Sequence, residues 1–350
     1  MTNKENNFTI IRFIGTIFVF SGHMGMILGG NAPVYGGFAL HEMGVAILFL
    51  IGGYLITKSW LSDRNILRYS IRRFFRLYPP YAVMILLMTF LAGPLLSDMG
   101  WKGYFSSWYN VYLWNLRFFI VYAQPGVFTD LPIPFVTNGS LWTMPVEAVM
   151  YIVTPVVCTL FTLKKGSRRS FRCMAVIIGI LCVFDVYLRI AHAETQLVFY
   201  GTNLIAAFHL ALFYLIGTLY TYDEMKKYLN LQMGIVLLGL MLIVPSGSRV
   251  LQFVLFYTAF PYAVFSMAMV EKPAFSWFGK KAELSYGIFL YGFLFQQIIT
   301  SVQQKTGFAL GYLGSLLISL LLTAVAAFIS YYAVEKPMLR LGKFIQKKIP

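Results

Sequence analysis

The chain has 350 residues, of which 59% are hydrophobic and only 12% are charged, and its formal net charge is +15. Its mean hydropathy is +0.71. Because a soluble domain usually has about twice this charged fraction, the composition excludes an ordinary soluble protein and indicates an integral membrane protein. The basic residues lie in short segments between apolar stretches, and this distribution argues against a nucleic-acid partner.

Apolar windows of near-continuous hydrophobic residues recur along the whole chain. Each approaches the roughly 20 residues that a membrane-spanning helix requires. We therefore predict an all-α fold, a polytopic bundle of about ten transmembrane helices. The windows cover residues 10–30, 43–60, 78–96, 140–163, 173–190, 197–221, 229–245, 250–270, 284–303 and 309–334.

The distribution of Lys and Arg predicts the orientation of this bundle. With both termini in the cytosol, nearly all basic residues fall on the cytosolic side, as the positive-inside bias requires. The exceptions on the outer side are Lys102, Arg117, Arg189, Arg249 and Lys305. We predict an N-in and C-in orientation, and one integral-membrane domain over residues 1–350 without an appended soluble domain.

The first window contains two ionisable residues, Arg12 and His23. A charge within a membrane span costs about 2.5 kcal/mol or more, so such residues indicate a site or a buried partner. Helical geometry places the two side chains on one face, about 16 Å apart along the axis. Arg12 is then a fixed cation near the cytosol, and His23 is a titratable base deep in the bilayer.

Glu147 in the fourth window is predicted to lie at the same depth as His23. A carboxylate there needs a partner, and His23 is the candidate. A neutral imidazole can take a proton from a hydroxyl group, while a carboxylate on its other nitrogen fixes the tautomer. The alternative is that the two residues only hold two helices together.

Two further polar features lie in the fifth and sixth windows. Asp185 and Arg189 are four residues apart, a spacing that pairs side chains on a helix. His209 lies midway along the sixth window, and we favour a packing histidine with satisfied hydrogen bonds over a catalytic one.

A basic run precedes the third window. Spacings of three and four place its arginines on one broad helical face just below the membrane, ending at Pro79-Pro80. Guanidinium groups suit phosphates, so this face is a candidate phosphate site. The alternatives are a topology signal that contacts anionic lipids, or internal pairing with Glu335. The arginines of this face are Arg68, Arg72, Arg73 and Arg76.

A long outer segment joins the third and fourth windows, between Ser97 and Asn138, and it is rich in aromatic residues that include Trp108 and Trp114. One interpretation is an interfacial helix with its aromatic side chains at the level of the lipid headgroups. The other is an aromatic platform for an external ligand such as a sugar. The two interpretations are compatible.

Several segments in this order resemble the acyltransferase 3 family of prokaryotic integral-membrane acyltransferases, and the resemblance covers nearly the whole chain. The segments are Arg12 with His23, Gly44-Val45 to Gly53-Tyr54, Arg73 and Arg76 with Pro79, Leu141-Trp142-Thr143-Met144-Pro145-Val146-Glu147, Ser285-Tyr286, and Val334-Glu335-Lys336-Pro337.

The resemblance implies an O-acyltransferase of the bacterial inner membrane. It would move an acyl group, most often acetyl from acetyl-CoA, to a hydroxyl group of a cell-surface or lipid-linked carbohydrate. By the same resemblance His23 is the catalytic base, and Arg12, Arg73 and Arg76 are functionally required. To these we add Arg72 for the donor phosphates and Glu147 as the residue that orients His23.

The candidate acceptor-binding residues are Trp142, Tyr286, Trp108 and Trp114. We expect acyl-CoA, a carbohydrate and membrane lipids as partners, no nucleic acid and no metal; homo-oligomerisation is left open. The offset of about 16 Å between Arg12 and His23 is about the reach of a pantetheine arm. The sequence does not decide from which side of the membrane the acceptor arrives.

The chain departs from the family pattern at two places. It has Gly52-Gly53 where the family usually has Ser before Gly, and it has Gly292 where the family often has a second histidine. The main rival function is a proton-coupled membrane transporter or exporter, in which buried Arg, His and Glu would form a proton path. No repeated halves, which many transporters contain, are visible in the sequence.

Overall fold

The fold is a helical bundle in which every predicted apolar window contains a helix. The computed structural model describes residues 6–161, 167–245, 247–271 and 273–349. Four of the basic residues predicted to lie on the cytosolic side are outside these ranges, namely Lys4, Lys164, Lys165 and Lys272. Within the described ranges, seven helical segments are long and apolar enough to cross a membrane. The all-helical fold, with several candidate membrane-spanning helices, is thus confirmed, whereas the count of ten and the orientation stay predictions.

The helices are α1 (Phe8–Ile27), α2 (Leu40–Ser62), α3 (Ile66–Leu87), α4 (Gly93–Leu96), α5 (Gly100–Phe105), α6 (Thr143–Leu160), α7 (Arg168–Ala191), α8 (Leu204–Leu219), α9 (Asp223–Lys226), α10 (Leu231–Ile243), α11 (Arg249–Tyr257), α12 (Ala259–Ala268), α13 (Ser285–Thr306), α14 (Gly311–Ser330) and α15 (Lys336–Lys347). Short π-helical turns continue α3 at Met88–Ala92 and α14 at Tyr331–Glu335, and 3-10 turns occupy Tyr109–Arg117 and Gly139–Trp142. Two small antiparallel hairpins pair β1 (Val34–Tyr35) with β2 (Phe38–Ala39) and β3 (Val198–Phe199) with β4 (Thr202–Asn203).

Helix α2 lies at the centre, packed between α1 and α8, while α1 also packs against α13. Glycines make these close contacts possible. A Cβ atom on Gly44 would lie 2.4 Å from the carbonyl oxygen of Gly15, and one on Gly53 would lie 1.9 Å from that of Tyr214. Small residues let membrane helices approach backbone to backbone. The glycines of the second window therefore hold α1 and α8 against α2.

The third helix begins earlier than its apolar window predicted. It starts at Ile66 and passes through Pro79 and Pro80, so the expected helix end at the proline pair is wrong. Proline removes a backbone donor, but membrane helices tolerate it where neighbouring groups compensate. Here Tyr81 is fully buried and its hydroxyl donates to the Asn115 carbonyl at 2.8 Å. Tertiary packing thus keeps the chain helical, and the arginine run forms the first turns of one long helix.

The aromatic segment after α3 folds into short helical turns rather than one interfacial helix. Tyr104 and Tyr112 are fully buried against the end of α3, and the Tyr104 hydroxyl donates to the Thr89 carbonyl at 2.8 Å. By contrast, Trp108 and Trp114 are 45% and 51% exposed. The tyrosines thus hold the segment to the bundle, and the two tryptophans face outward.

Candidate active site

Two cavities lie next to each other inside the bundle. We call the first the arginine cavity. It has a volume of about 140 Å³, and its polar lining includes Arg12, Arg73, Arg76, Glu147, Tyr151 and Tyr286. We call the second the histidine cavity. It has a volume of about 370 Å³, and its polar lining includes His23, His41, Glu42, Trp142, Arg189 and His209.

The two cavities share three lining residues, Val45, Thr143 and Phe289. These residues come from α2, α6 and α13, and together they form what we call the partition. Arginine side chains line the cavity on one side of the partition, and histidine side chains line the cavity on the other side. The bundle therefore places the arginine cavity next to the histidine cavity, with the side chains of the partition between them.

Next to the arginine cavity, a single partly buried carboxylate joins two of the predicted arginines. Glu283 Oε2 lies 3.3 Å from Arg12 Nη1 and 2.5 Å from Arg76 Nη2. Burial alone would raise the pKa of Glu283, but the two guanidinium groups outweigh it and lower that pKa to about 2. Arg76 also lies 3.7 Å from Glu335, the internal pairing that the sequence analysis left open.

Arg73 is held differently. Its guanidinium group lies over the rings of Tyr69 and Tyr151, 5.9 and 5.8 Å from their centroids, and within the described ranges it has no acidic partner. Cation–π contacts of this kind orient a guanidinium group without neutralising it. Arg73 therefore faces the arginine cavity without an ion pair among the described residues, although the Glu147 carboxylate lines the same cavity.

The assignment of Arg72 to the same site needs correction. Arg72 does not line the arginine cavity, and its Nη1 lies 2.8 Å from Oδ2 of Asp63, which also binds Arg68 at 2.8 Å. Hydrogen bonds from the two arginines hold the pKa of Asp63 well below its usual range. Consecutive helical residues point about 100° apart, so Arg72 pairs at the helix surface whereas Arg73 faces inward.

Glu147 and His23 line different cavities. The Glu147 carboxylate accepts a hydrogen bond from the Tyr151 hydroxyl, and no hydrogen bond joins Glu147 to His23 within the residues that the structure describes. The 3-10 turn at Gly139–Trp142 turns by about 120° per residue, and this rotates α6 relative to one continuous α-helix. The predicted contact between these two residues is therefore absent.

His23 lies in the wall of the histidine cavity. Its ring is 5.6 Å from the His41 ring and 5.3 Å from the Phe293 ring, centroid to centroid. Trp142 lines the same cavity. The position of the family's second histidine, Gly292, offers no room for one, because a Cβ atom there would lie 2.8 Å from the Phe20 ring.

A second imidazole of the histidine cavity has the carboxylate that His23 lacks. Asp185 is fully buried, and its Oδ2 lies 2.9 Å from His209 Nδ1. It also accepts a hydrogen bond from the Tyr257 hydroxyl and lies 3.3 Å from Arg189 Nε, the predicted pair on α7. His209 is thus hydrogen-bonded, as expected of a packing histidine. It also lines a cavity, which was not expected.

Of the remaining predicted acceptor-binding residues, one lines a cavity and two do not. Tyr286 lines the arginine cavity, where its hydroxyl donates to the Leu77 carbonyl at 2.7 Å and its ring lies under Arg76. Trp108 and Trp114 line neither cavity.

Glu283 is a site residue that the sequence analysis missed. The available signal was an acidic residue directly before an apolar window, on the side where the arginines were expected.

Comparison with known proteins assigns the chain to a family. Residues 5–334 match the family model described as an acyltransferase domain. The chain is 25% identical over 341 residues to an O-acetyl transferase of Shigella phage Sf6, covering 96% of this chain and 97% of that protein. It is also 25% identical over 175 residues to nodulation protein 10 of Rhizobium leguminosarum bv. viciae, covering 47% of each. No solved structure matches significantly. The chain belongs to the acyltransferase 3 family and is an acyltransferase.

Proposed function

We propose that the protein is an O-acetyltransferase that moves an acetyl group from acetyl-CoA to a hydroxyl group of a cell-surface or lipid-linked carbohydrate. The observation that carries the proposal is the contact between the arginine cavity and the histidine cavity across the partition. An anionic thioester donor needs cationic side chains, and a hydroxyl acceptor needs a base. The arginine cavity offers the first, and the histidine cavity offers the second.

The arginine cavity suits the donor. CoA carries several phosphate charges, and guanidinium groups bind phosphate through paired, charge-assisted hydrogen bonds. Arg73 is the strongest candidate because it has no ion pair among the described residues, while Arg12 and Arg76 are both paired with Glu283. The cavity, about 140 Å³, is smaller than the roughly 300–1,000 Å³ typical of sites that enclose a whole ligand. It therefore fits the pantetheine arm of the donor, with the phosphates at the arginines of its wall and the adenosine outside.

In the reaction we propose, the acceptor hydroxyl lies in the histidine cavity and His23 is the general base. As the hydroxyl oxygen attacks the thioester carbonyl, its proton passes to the imidazole. The tetrahedral intermediate then collapses, the carbon–sulfur bond breaks, and the CoA thiolate recovers a proton from the imidazolium. The ester and CoA leave on their own sides of the partition.

Glu147 contributes to binding of the acyl donor in this scheme. It lies one helical turn after Thr143 of the partition, on the arginine-cavity side, and Tyr151 holds its carboxylate. An ionised carboxylate only accepts hydrogen bonds, and the pantetheine arm of CoA offers amide N–H donors. We therefore assign Glu147 to orienting the arm so that the thioester meets the partition.

The partition must admit the acetyl carbonyl during the reaction, so Phe289 has to move or the donor has to reach past it. Residues of the predicted outer segment, including Tyr122 and Val136, line the histidine cavity. The acceptor therefore enters from the predicted outer side of the inner membrane, and CoA enters from the cytosol. All residues of the scheme belong to one multi-pass membrane domain.

The proposal is tested with purified protein and acetyl-CoA. We expect release of the free CoA thiol, and alkali-labile acetyl ester in envelope material from the host cell. A proton-coupled transporter would release no thiol from acetyl-CoA. A protein that binds CoA but never releases thiol, with or without acceptor, would refute the proposed reaction.

A further inference from the structure

The histidine cavity contains a carboxylate–imidazole pair that the reaction above does not use. Asp185 on α7 and His209 on α8 are both buried, with His209 Nδ1 at 2.9 Å from Asp185 Oδ2. His209 lines the same cavity as His23. Ionisable groups in a membrane-spanning bundle are costly and usually functional.

The hydrogen bonds of this pair fix the tautomer of His209. An ionised carboxylate has no proton to donate, so the proton between Asp185 and His209 must lie on Nδ1. Arg189, 3.3 Å from Asp185, stabilises the ionised carboxylate. The Tyr257 hydroxyl gives its one proton to the same carboxylate, and its oxygen, 2.6 Å from His209 Nδ1, can then only accept from the Nδ1–H group. In neutral His209 the lone pair is therefore on Nε2.

This second nitrogen has no protein partner among the residues that the structure describes. A pair that served only to hold α7 against α8 would not need an imidazole in a cavity wall, because Arg189 and Tyr257 already bind Asp185. His209 lines the cavity, and a free lone pair on its ring calls for a ligand that donates a hydrogen bond. A sugar hydroxyl is such a donor.

We propose that His209, held by Asp185 in the wall of the histidine cavity, binds a second hydroxyl group of a polyhydroxy acceptor whose reacting hydroxyl lies at His23. The inference rests on the proposed function. His209 is an acceptor-binding residue in this account, and Asp185 is a positioning residue that acts through it.

The rest of the cavity fits a neutral sugar. Arg189 and Glu42 lie 4.0 Å apart at the same wall, so they offer a donor and an acceptor for further hydroxyl groups. Trp142 offers an apolar face. The charges of Arg189, Asp185 and Glu42 leave no excess of positive charge, in contrast to the arginine cavity, so an uncharged acceptor is favoured over an anionic one.

The test measures how released acetyl groups divide between ester and water. Membranes of the host cell that contain the natural acceptor receive each variant and acetyl-CoA labelled in the acetyl group. Alkali-labile label in the envelope fraction is divided by the CoA thiol released. This ratio reports acceptor binding, and it does not change when only the donor step slows.

We expect His209→Phe, which keeps a planar ring but lacks an acceptor nitrogen, to lower this ratio about 10-fold, in line with one lost hydrogen bond to a buried group. Asp185→Asn no longer fixes the ring proton of His209 on Nδ1, and it should lower the ratio less. His209→Gln retains an acceptor oxygen and should restore most of the ratio. His192→Phe makes the same change at an exposed histidine that ends α7 and lines neither cavity, and is the matched control.

A ratio that stays at the wild-type value in folded His209→Phe and Asp185→Asn overturns the inference, whether or not total thiol release falls. An equal fall of ester and thiol would instead make His209 a base or a structural residue. If the wild-type protein itself releases no thiol, the proposed function fails, and that outcome is distinct. Monodisperse elution of each variant in detergent shows that it is folded.

Discussion

Arg73 offers the sharpest test of where the donor binds, because it is the one predicted phosphate ligand that faces the arginine cavity and has no acidic partner among the described residues. In Arg73→Ala, a charge-assisted hydrogen bond to phosphate is lost. Such a bond contributes about 1.5–3 kcal/mol, which corresponds to a roughly 10- to 150-fold higher Kd for CoA. Arg73→Lys should restore little, since an ammonium group cannot reproduce the planar fork.

The structure also explains why Arg76 is a poorer probe. Arg76→Ala would leave Glu283 with Arg12 alone and would leave Glu335 without its cation. Breaking partly buried pairs in this way destabilises the fold, so a loss of binding could reflect unfolding. Among the described residues, Arg73 makes two cation–π contacts and no ion pair, and its removal should leave the protein folded.

Isothermal titration calorimetry with CoA measures the effect on purified protein. Arg72→Ala is the matched control, because Arg72 is the neighbouring residue in the chain and pairs with Asp63 outside the cavity. Its Kd for CoA should equal that of the wild type. If Arg73→Ala binds CoA as tightly as the wild type does, the arginine cavity is not the donor site.

Three further predictions follow from the cavities. Phe289→Ala should raise thiol release from acetyl-CoA in the absence of acceptor, because water crosses the opened partition, whereas Phe289→Leu should stay near the wild-type rate; equal rates in both would contradict the partition. Glu283 has a pKa of about 2 in the folded protein against 4.5 ordinarily, so its contribution to stability is complete above about pH 4.5 and is lost as the pH falls towards 2. In Glu283→Gln the thermal unfolding temperature should therefore fall at neutral pH and depend less on acid, and an unchanged acid dependence would argue against the ion pairs. Trp108→Ala combined with Trp114→Ala should leave thiol release and the Kd for CoA unchanged, because both side chains lie outside the cavities; a lower rate would place the donor path elsewhere.

The helical architecture could be predicted because a membrane imposes one simple rule on the sequence. Every span needs an apolar stretch of helical length, so the windows located the helices even where the ends shifted. Arg12 and His23 could be assigned to one helix face from spacing alone. Both lie in cavity walls, although in different cavities.

Contacts between different helices could not be predicted in the same way. The depth of Glu147 was inferred from the sequence, but a 3-10 turn changes the direction of its side chain, and depth does not determine direction. Likewise, nothing in the spacing of Asp185 and His209 indicates that α7 and α8 bring them together. Glu283 lies in a connection between helices, where no periodic pattern applies.

The role of His23 as the general base is the central claim, and acetyl transfer by His23→Ala tests it most directly. The measurement compares ester formation from labelled acetyl-CoA in host membranes that contain wild-type protein, His23→Ala, or the control His192→Ala, whose histidine is exposed at the end of α7. We predict a loss of about 10²–10⁴-fold in His23→Ala, with CoA binding unchanged, and wild-type activity in the control. Ester formation near the wild-type rate in folded His23→Ala would contradict the account.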